Sequence, residues 1–122
     1  MKNAIHWFEI PARDLDRAQR FYETLLGVPL RREAMGPQTT LALFPYEEPG
    51  AGGCLMHAPG LEPAATGTLA YLGVAELDAV LARLDGAGGQ LLTPKVTLPD
   101  GMGVFAHVQD SEGNRVGLHA DH

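Results

Sequence analysis

The same order of predicted secondary-structure elements occurs twice along this chain, and this repeat limits its fold more than any other sequence feature. Sliding the chain by 62 positions, from 14 to 76, brings Asp14-Leu15-Asp16 onto Glu76-Leu77-Asp78 and Gly27 onto Gly89. In each half the pattern predicts a strand, a helix and three further strands. A unit of about 60 residues buries little core by itself, so two such units are expected to pack together.

Each half contains one predicted helix with apolar residues at helical spacing. Asp14 is a suitable N-cap for the first helix, and Gly27, followed by Pro29, ends it. The apolar positions are Leu15, Ala18, Phe21, Tyr22 and Leu25 in the first helix and Leu77, Val80, Leu81 and Leu84 in the second. Strands are predicted over residues 5–10, 29–35, 39–44 and 54–57, and over 68–74, 90–96, 103–108 and 115–119. The sequence predicts one α+β domain over residues 1–122, made of repeat 1–61 and repeat 62–122.

The final predicted strand follows a turn that is rich in acidic and amide side chains. Such side chains, from Asp110 to Asn114, bond their own backbone, and Gly113 is free to take a positive φ. Beyond the turn, alternation places Arg115, Gly117 and His119 on the face opposite the apolar residues. A strand at this position needs a pairing partner, which the rest of the repeat is expected to supply.

The composition excludes several classes of function. The chain has 15 acidic and 9 basic residues and a net charge of −6, which disfavours nucleic acid or an anionic membrane as the partner. It has no stretch of about 20 apolar residues that would span a membrane, and Met1-Lys2-Asn3-Ala4 lacks the apolar run of a signal peptide. The single cysteine, Cys54, is interpreted as a small buried residue, which suits a reducing cytoplasm.

Three motifs resemble the vicinal oxygen chelate superfamily, which includes glyoxalase I, bleomycin-resistance proteins and extradiol dioxygenases. The motifs are Trp7-Phe8-Glu9-Ile10-Pro11, the run of Asp14-Leu15-Asp16-Arg17-Ala18 with Phe21-Tyr22 and Leu26-Gly27, and the turn Asp110-Ser111-Glu112-Gly113-Asn114-Arg115. The resemblance covers the whole chain. It implies paired βαβββ modules whose curved sheets surround a concave cup, with a small-molecule ligand in the cup and usually a homodimer.

In the metal-using members of this superfamily, four ligands come from the first and last strands of the modules and are typically His, Glu or Gln. The resemblance and the repeat place these positions at Trp7, Leu55, Leu69 and Gly117. None of these side chains offers a lone pair to Zn, Fe, Mn or Mg. The sequence therefore predicts a metal-free cup without a cofactor and argues against glyoxalase I and extradiol dioxygenase activity. Because the bleomycin-binding members work without the metal site, ligand binding is still expected.

Strand alternation predicts which side chains share the cup with those positions. Two residues along from each lie Glu9, His57, Tyr71 and His119. Trp7 is expected to fill the space of a metal, and Gly117 to leave room opposite. We predict Glu9 as the catalytic residue, because a carboxylate among aromatic groups suits a general base or a ligand anchor. The predicted ligand-binding residues are Trp7, His57, Tyr71, Phe105 and His119, with His107 as a further candidate because it alternates with Phe105.

Each of these residues also has a simpler explanation. Glu9 could reach the rim of the cup or pair with Arg115, since an unpaired buried carboxylate is costly. His57 and His119 are near strand ends, where solvated histidines are common, and Tyr71 could be a core aromatic with a satisfied hydroxyl. A displaced metal site of Glu9, His57 and His119 is a further alternative.

Two hypotheses about function follow from this set of residues. In the first, the protein is an enzyme that binds a small organic molecule, and Glu9 acts as base or acid in a lyase or isomerase-type step. In the second, it is a non-catalytic binding protein that sequesters a ligand or drug. Trp7, Tyr71 and Phe105 would then stack on a planar molecule, and acidic groups would attract a cation.

Overall fold

The computed structural model describes residues 3–122, and the first half of the chain forms one βαβββ module, here called module 1. Met1 and Lys2, on which the predicted lack of a signal peptide partly depends, lie outside the described residues. The elements of module 1 are β1 (Trp7–Pro11), α1 (Leu15–Leu26), β2 (Arg31–Ala34), β3 (Thr40–Leu43) and β4 (Gly52–His57). Its strands lie in the order β1-β4-β3-β2, and β1 runs parallel to β4.

The second half of the chain, module 2, repeats this arrangement. Its elements are β5 (Tyr71–Gly73), α2 (Leu77–Ala87), β6 (Gln90–Thr97), β7 (Val104–Gln109) and β8 (Arg115–Ala120). The strands lie in the order β5-β8-β7-β6, and β5 runs parallel to β8. The predicted α+β fold of two βαβββ modules is therefore confirmed. β5 is shorter than the predicted strand over 68–74, so Leu69 precedes it.

Local signals in the sequence fix the helix ends. The Asp14 side chain accepts a hydrogen bond from the Arg17 backbone N–H at 3.0 Å, as an N-cap does. Gly27 and Gly88 end the two helices with left-handed φ angles of 70° and 99°. Glu76 precedes α2 but makes no side-chain cap bond. No helix within residues 3–122 is long and apolar enough to cross a membrane.

One apolar core serves both modules, because α1 and α2 pack on each other as well as on the sheets. Phe21, Tyr22 and Leu25 of α1 are almost completely buried, as the helical spacing predicted. Phe21 also reaches module 2, where a Cβ added to Gly89 would lie only 2.7 Å from its ring. Neither unit buries its apolar face alone, which agrees with the expectation that the two halves pack together.

The turn before β8 is buried and joins the two modules. Asp110 accepts hydrogen bonds from the backbone N–H groups of Glu112 and Asn114 at 2.8 and 2.9 Å, and from the Tyr22 hydroxyl of α1 at 2.6 Å. The Asn114 amide donates to the Pro11 carbonyl at the end of β1, at 2.8 Å. The sequence predicted a local turn, whereas the structure shows that its side chains also bind the first module.

Glu112 forms the centre of this connection. Its carboxylate accepts bonds from the Asp14 backbone N–H at 2.8 Å, from Arg17 Nε and Nη2 at 2.6 and 3.0 Å, and from Ser111 Oγ at 3.0 Å. The side chain of Glu112 is fully buried, whereas that of Arg17 is 49% exposed. Burial raises the pKa of Glu112, but the bonds from Arg17, Asp14 and Ser111 outweigh it and hold the pKa below its usual value. The first helix of module 1 therefore begins against a carboxylate supplied by module 2.

The last strands of the two modules are offset by 63 residues rather than 62. Glu9 and Tyr71, 62 positions apart, each lie five residues before the cap of their helix. Glu9 pairs with Cys54, and Tyr71 pairs with Gly117, which is 63 positions beyond Cys54. A shift of one residue moves every side chain of a strand to the opposite face. The predicted equivalence of Leu55 with Gly117 is therefore wrong.

Candidate functional site

In β1, the side chains predicted for the cup lie on the sheet face opposite the helices. Ile10 is buried in the core and Phe8 packs against it, so alternation turns Trp7 and Glu9 to the other face, where both are exposed. Trp7 is 37% exposed, and its indole lies edge-on to Tyr46 with ring centroids 6.3 Å apart. Glu9 belongs to none of the ion pairs that residues 3–122 form. The suggested pairing of Glu9 with Arg115 is therefore not observed.

β4 presents different side chains beside Glu9 than the repeat predicted. Leu55 is fully buried in the core, and His57 lies on the same helix-facing side, with its Nδ1 2.9 Å from the Ala12 carbonyl oxygen. The β4 residues that share a face with Trp7 and Glu9 are Gly52, Cys54 and Met56. The prediction that His57 lines the cup beside Glu9 is wrong, because the offset of 63 reverses the alternation.

Module 2 does bring its predicted residues onto one sheet face. Tyr71 and His107 pair with Gly117 from either side, and Phe105 pairs with His119. The rings of Tyr71, Phe105 and His107 form a cluster, with centroids 5.4 or 6.0 Å apart. Tyr71 is 48% exposed, so it is not the core aromatic that the simpler explanation supposed.

The space expected at Gly117 is filled by Tyr71. A Cβ added to Gly117 would lie 2.4 Å from Cδ2 of Tyr71, so the aromatic ring lies directly on the glycine. His119 is also engaged, since its Nε2 lies 2.7 Å from the Met102 carbonyl oxygen. The face of β8 at Gly117 is therefore covered by an aromatic ring, and no open space remains there.

A chain of hydrogen bonds links Tyr71 to Arg115 through His107. The Tyr71 hydroxyl lies 2.6 Å from His107 Nε2, and His107 Nδ1 lies 3.3 and 3.2 Å from Arg115 Nε and Nη2. Arg115 Nη2 also donates to Thr93 Oγ1 at 3.0 Å. Arg115 and Thr93 were not predicted as site residues, although alternation had already placed Arg115 on the face of Gly117.

The neighbourhood of His107 favours its neutral form. Partial burial, and then the positive charge of Arg115, lower the pKa of His107 below its usual value. Thr93 enters the group because the β6–β7 ladder shifts register on both sides of it, next to Pro94. A sequence shows neither of these register shifts.

Cys54, in β4 beside Glu9, carries an unreactive thiol. It is fully buried and pairs with Glu9 across the β1–β4 ladder. Burial, and then the charge of Glu9, raise the pKa of the Cys54 thiol to about 11. The thiolate, which is the nucleophilic form, is therefore scarce near neutral pH.

The side chains at the superfamily's metal-ligand positions do not fit a metal ion. The observed register makes Cys54, and not Leu55, the counterpart of Gly117, and Gly117 is covered by the Tyr71 ring. Trp7, Leu69 and Gly117 offer no donor, so the buried Cys54 thiol is the single possible donor among the four positions. Residues 3–122 contain no group of three or more His, Cys, Asp or Glu side chains arranged to hold a metal ion. The alternative set of Glu9, His57 and His119 is likewise not brought together.

A cavity between the two modules is separate from Glu9. Its volume is about 870 Å³, and it lies between the modules, against Phe8, Phe44, Leu72 and Val80. Tyr71 reaches its edge, but neither Glu9 nor His119 lines it. Most of its lining is apolar, and Glu76 and Arg83 are the charged residues that line it.

Comparison with solved structures shows the fold. A glyoxylase/bleomycin resistance protein/dioxygenase domain from Frankia sp. EAN1pec superposes with a TM-score of 0.70 at 22% identity, covering 97% of each chain. A glyoxalase/bleomycin resistance protein from Albidiferax ferrireducens T118 gives 0.69 at 18% identity, covering 97% of this chain and 98% of the other. Glyoxalase I from Zea mays gives 0.68 at 22% identity, with 94% of this chain covered. This chain spans only 45% of the length of the maize protein.

Comparison of the sequence gives the family. No curated protein sequence matches the chain. The family model described as Glyoxalase/Bleomycin resistance protein/Dioxygenase superfamily matches residues 4–118, which include both modules and the connecting segment. This chain belongs to the Glyoxalase/Bleomycin resistance protein/Dioxygenase superfamily.

Proposed function

We propose that the chain binds a small organic molecule on the sheet faces that point away from the helices, and that Glu9 transfers a proton of that molecule. The observation that supports this proposal is the exposed Glu9 carboxylate beside the Trp7 indole, free of the ion pairs that acidic residues elsewhere make. A free carboxylate next to an aromatic surface suits a general base that acts on a planar substrate. Neither group is needed for the core.

The proposed reaction is of the lyase or isomerase type. The Glu9 carboxylate takes a proton from a carbon next to a carbonyl group, and the electron pair moves toward the carbonyl oxygen. Glu9 then returns the proton at another carbon in an isomerase, or a leaving group departs from the next carbon in a lyase. We propose that this step needs no metal, because the side chains at the ligand positions offer no donor set.

The test uses hydrogen–deuterium exchange, because exchange reports proton abstraction before the substrate is known. A panel of small aromatic and aliphatic carbonyl compounds is incubated in D₂O with the native protein, Glu9→Gln or Glu62→Gln. We expect exchange beside the carbonyl of at least one compound, about 100-fold slower with Glu9→Gln and unchanged with Glu62→Gln. The control residue is an exposed surface carboxylate paired with Arg13.

Two results would reject the catalytic proposal: no exchange in any compound, or full activity of Glu9→Gln. Metal analysis of the same purified sample addresses the metal-free claim. Stoichiometric Zn, Ni or Fe, in amounts that rise and fall with the exchange activity, would show that the claim is wrong.

A non-catalytic binding protein is the second candidate, and the aromatic cluster of Tyr71, Phe105 and His107 favours it. These rings are exposed or partly exposed and pack edge to face or tilted against one another, and they form a surface on which a planar ligand can stack. Trp7 is the only tryptophan, so its fluorescence reports binding near β1 without background. A saturable fluorescence change with a cationic glycopeptide, combined with the absence of exchange chemistry, would favour sequestration. An unchanged spectrum would count against it.

We also propose that the protein is a homodimer, as the family resemblance implied. Exposed apolar side chains outside the proposed ligand-binding set, such as Ile5, Met35 and Leu91, leave surface that a second copy could cover. Light scattering across a range of concentrations tests this proposal, and a monomeric mass at every concentration would reject it.

A further inference from the structure

Arg115 is a partly buried cation without an acidic partner in the described chain. The ion pairs within residues 3–122 use five other basic residues, namely Arg13, Arg17, Arg31, Arg32 and Lys95. Arg115 instead contacts two neutral groups, Thr93 Oγ1 and His107 Nδ1. A guanidinium that is partly withdrawn from water is stabilised by a carboxylate or phosphate. No carboxylate of the described residues takes that position.

The contact with Arg115 determines which nitrogen of His107 carries the proton. A guanidinium has only N–H donors, so His107 Nδ1 must accept. The ring proton of neutral His107 is then on Nε2, which lies 2.6 Å from the Tyr71 oxygen. Nε2–H therefore donates to Tyr71, and the imidazole is held as one defined tautomer.

The Tyr71 hydroxyl keeps its own proton for a ligand. Its oxygen already accepts from His107, so its O–H points elsewhere, and the side chain is 48% exposed. At the other end of the group, Arg115 uses Nε and Nη2 for its bonds within the protein, which leaves the Nη1 donors free. Both ends of the group therefore present hydrogen-bond donors, and the Arg115 end presents donors alone.

The surface beside these donors is aromatic. Tyr71, Phe105 and His107 lie within 6.0 Å of one another, centroid to centroid. Phe105 is partly exposed and carries no polar group. A ring of a ligand can therefore stack here while its polar substituents reach the donors.

We infer that the donor array of Tyr71, His107 and Arg115 recognises a planar aromatic ligand that carries a carboxylate. The carboxylate binds Arg115, the ring stacks on the cluster, and a second acceptor oxygen receives the Tyr71 proton. His107 is a positioning residue, because it orients both donors without needing to touch the ligand. This inference rests on the proposed function and narrows its ligand class to anions, in contrast to the cation expected of a drug-sequestering protein.

The test compares three probes by NMR titration of the isotope-labelled full chain. Benzoate carries the ring and the charge, benzamide carries the ring without the charge, and acetate carries the charge without the ring. We expect benzoate to bind with a dissociation constant on the order of 1 mM, about tenfold more tightly than either other probe. The shifts should be largest at Tyr71, Phe105 and Arg115. The imidazole ¹⁵N signals of His107 should identify Nδ1 as the unprotonated nitrogen.

Variants separate the role of the charge from that of the fold. Arg115→Gln should abolish the preference for benzoate over benzamide, and Arg115→Lys should keep a part of it as a point charge. Tyr71→Phe should weaken benzoate binding about three- to tenfold through the lost donor. Arg13→Gln, which removes an exposed cation elsewhere, should bind like the native protein.

The possible outcomes distinguish this inference from the function on which it rests. Equal binding of benzoate and benzamide, or a preference that survives Arg115→Gln, would overturn the anion assignment but leave small-molecule binding on this face intact. If no probe shifts the resonances of the donor array, the anion assignment falls, whereas the exchange assay with Glu9→Gln still tests the proposed function separately. If only acetate binds, the aromatic part of the inference is wrong.

Discussion

Replacing Glu112 by glutamine should lower the stability of the whole fold, although the residue lies in a turn of the second module and not in either helix. The substitution keeps the shape of the side chain and removes its charge. One amide oxygen can still accept from the Asp14 backbone, but the amide nitrogen is a donor and would face the donors of Arg17 and Ser111. The variant therefore breaks the connection between modules without removing volume.

The size of the effect follows from the burial of Glu112. Its side chain is fully buried and accepts four hydrogen bonds, at 2.8, 2.6, 3.0 and 3.0 Å. A buried hydrogen bond to a charged group contributes about 1.5–3 kcal/mol. Water screens Arg17, which is 49% exposed, and reduces its share. We expect Glu112→Gln to lower the free energy of unfolding by about 2–3 kcal/mol, and the melting temperature by about 6–12 °C.

The assay is urea unfolding at several pH values, with Glu62→Gln as the matched control. The folded-state pKa of Glu112 is depressed, so its contribution is fully present above its unfolded value of 4.5 and is lost as the pH falls through the folded pKa. The gap between native protein and Glu112→Gln should therefore be constant at neutral pH and shrink below about pH 4.5. The exposed control should change stability by no more than about 0.5 kcal/mol.

An equal, small decrease in the free energy of unfolding for Glu112→Gln and Glu62→Gln would refute the reasoning. It would show that the buried Glu112 contributes no more to stability than a surface carboxylate does. A gap that widened toward acid would refute the assigned direction of the pKa shift. A loss of stability with the folded secondary structure unchanged, as seen by circular dichroism, is the result that the network predicts.

Two further substitution and modification experiments address the candidate site. Gly117→Ala places a Cβ 2.4 Å from the Tyr71 ring, so the ring must move. We expect benzoate binding to weaken severalfold while the protein stays folded. An unchanged affinity for benzoate would contradict the observed position of the ring. Because burial raises the pKa of Cys54 to about 11, the folded protein should resist iodoacetamide at pH 8 and react rapidly in urea. Fast alkylation of the folded chain, measured by mass spectrometry, would show that this thiol is accessible.

The sequence predicted the parts of the fold that depend on local signals. The helical spacing from Leu15 to Leu25 and the caps at Asp14 and Gly27 gave the first helix with its correct buried face. Alternation placed Trp7 and Glu9 together, and it grouped Arg115 with Gly117 and His119. Each of these predictions depends on residues within a single helix or strand, where the backbone conformation determines which side chains share a face.

Features that depend on pairing between distant strands were predicted less well. His57 was placed on the wrong face because one additional residue between equivalent strands changes the offset from 62 to 63. The Tyr71–His107 bond joins residues 36 positions apart, and its geometry follows from the register of three strands. Glu112 looked like part of a turn, because the sequence gives no sign that Asp14 and Arg17 lie beside it.

The asymmetry between the two helix starts has a consequence for synthesis. The first helix meets its Glu112 partner across 98 residues of sequence, whereas the second begins at Glu76 without a side-chain cap. At about 5–20 residues per second, the ribosome needs on the order of 5–20 s to add that segment. During this interval the earlier module lacks its buried carboxylate and part of its core. The nascent first module is therefore expected to stay incompletely ordered and exposed to chaperones until the turn before the last strand has left the exit tunnel.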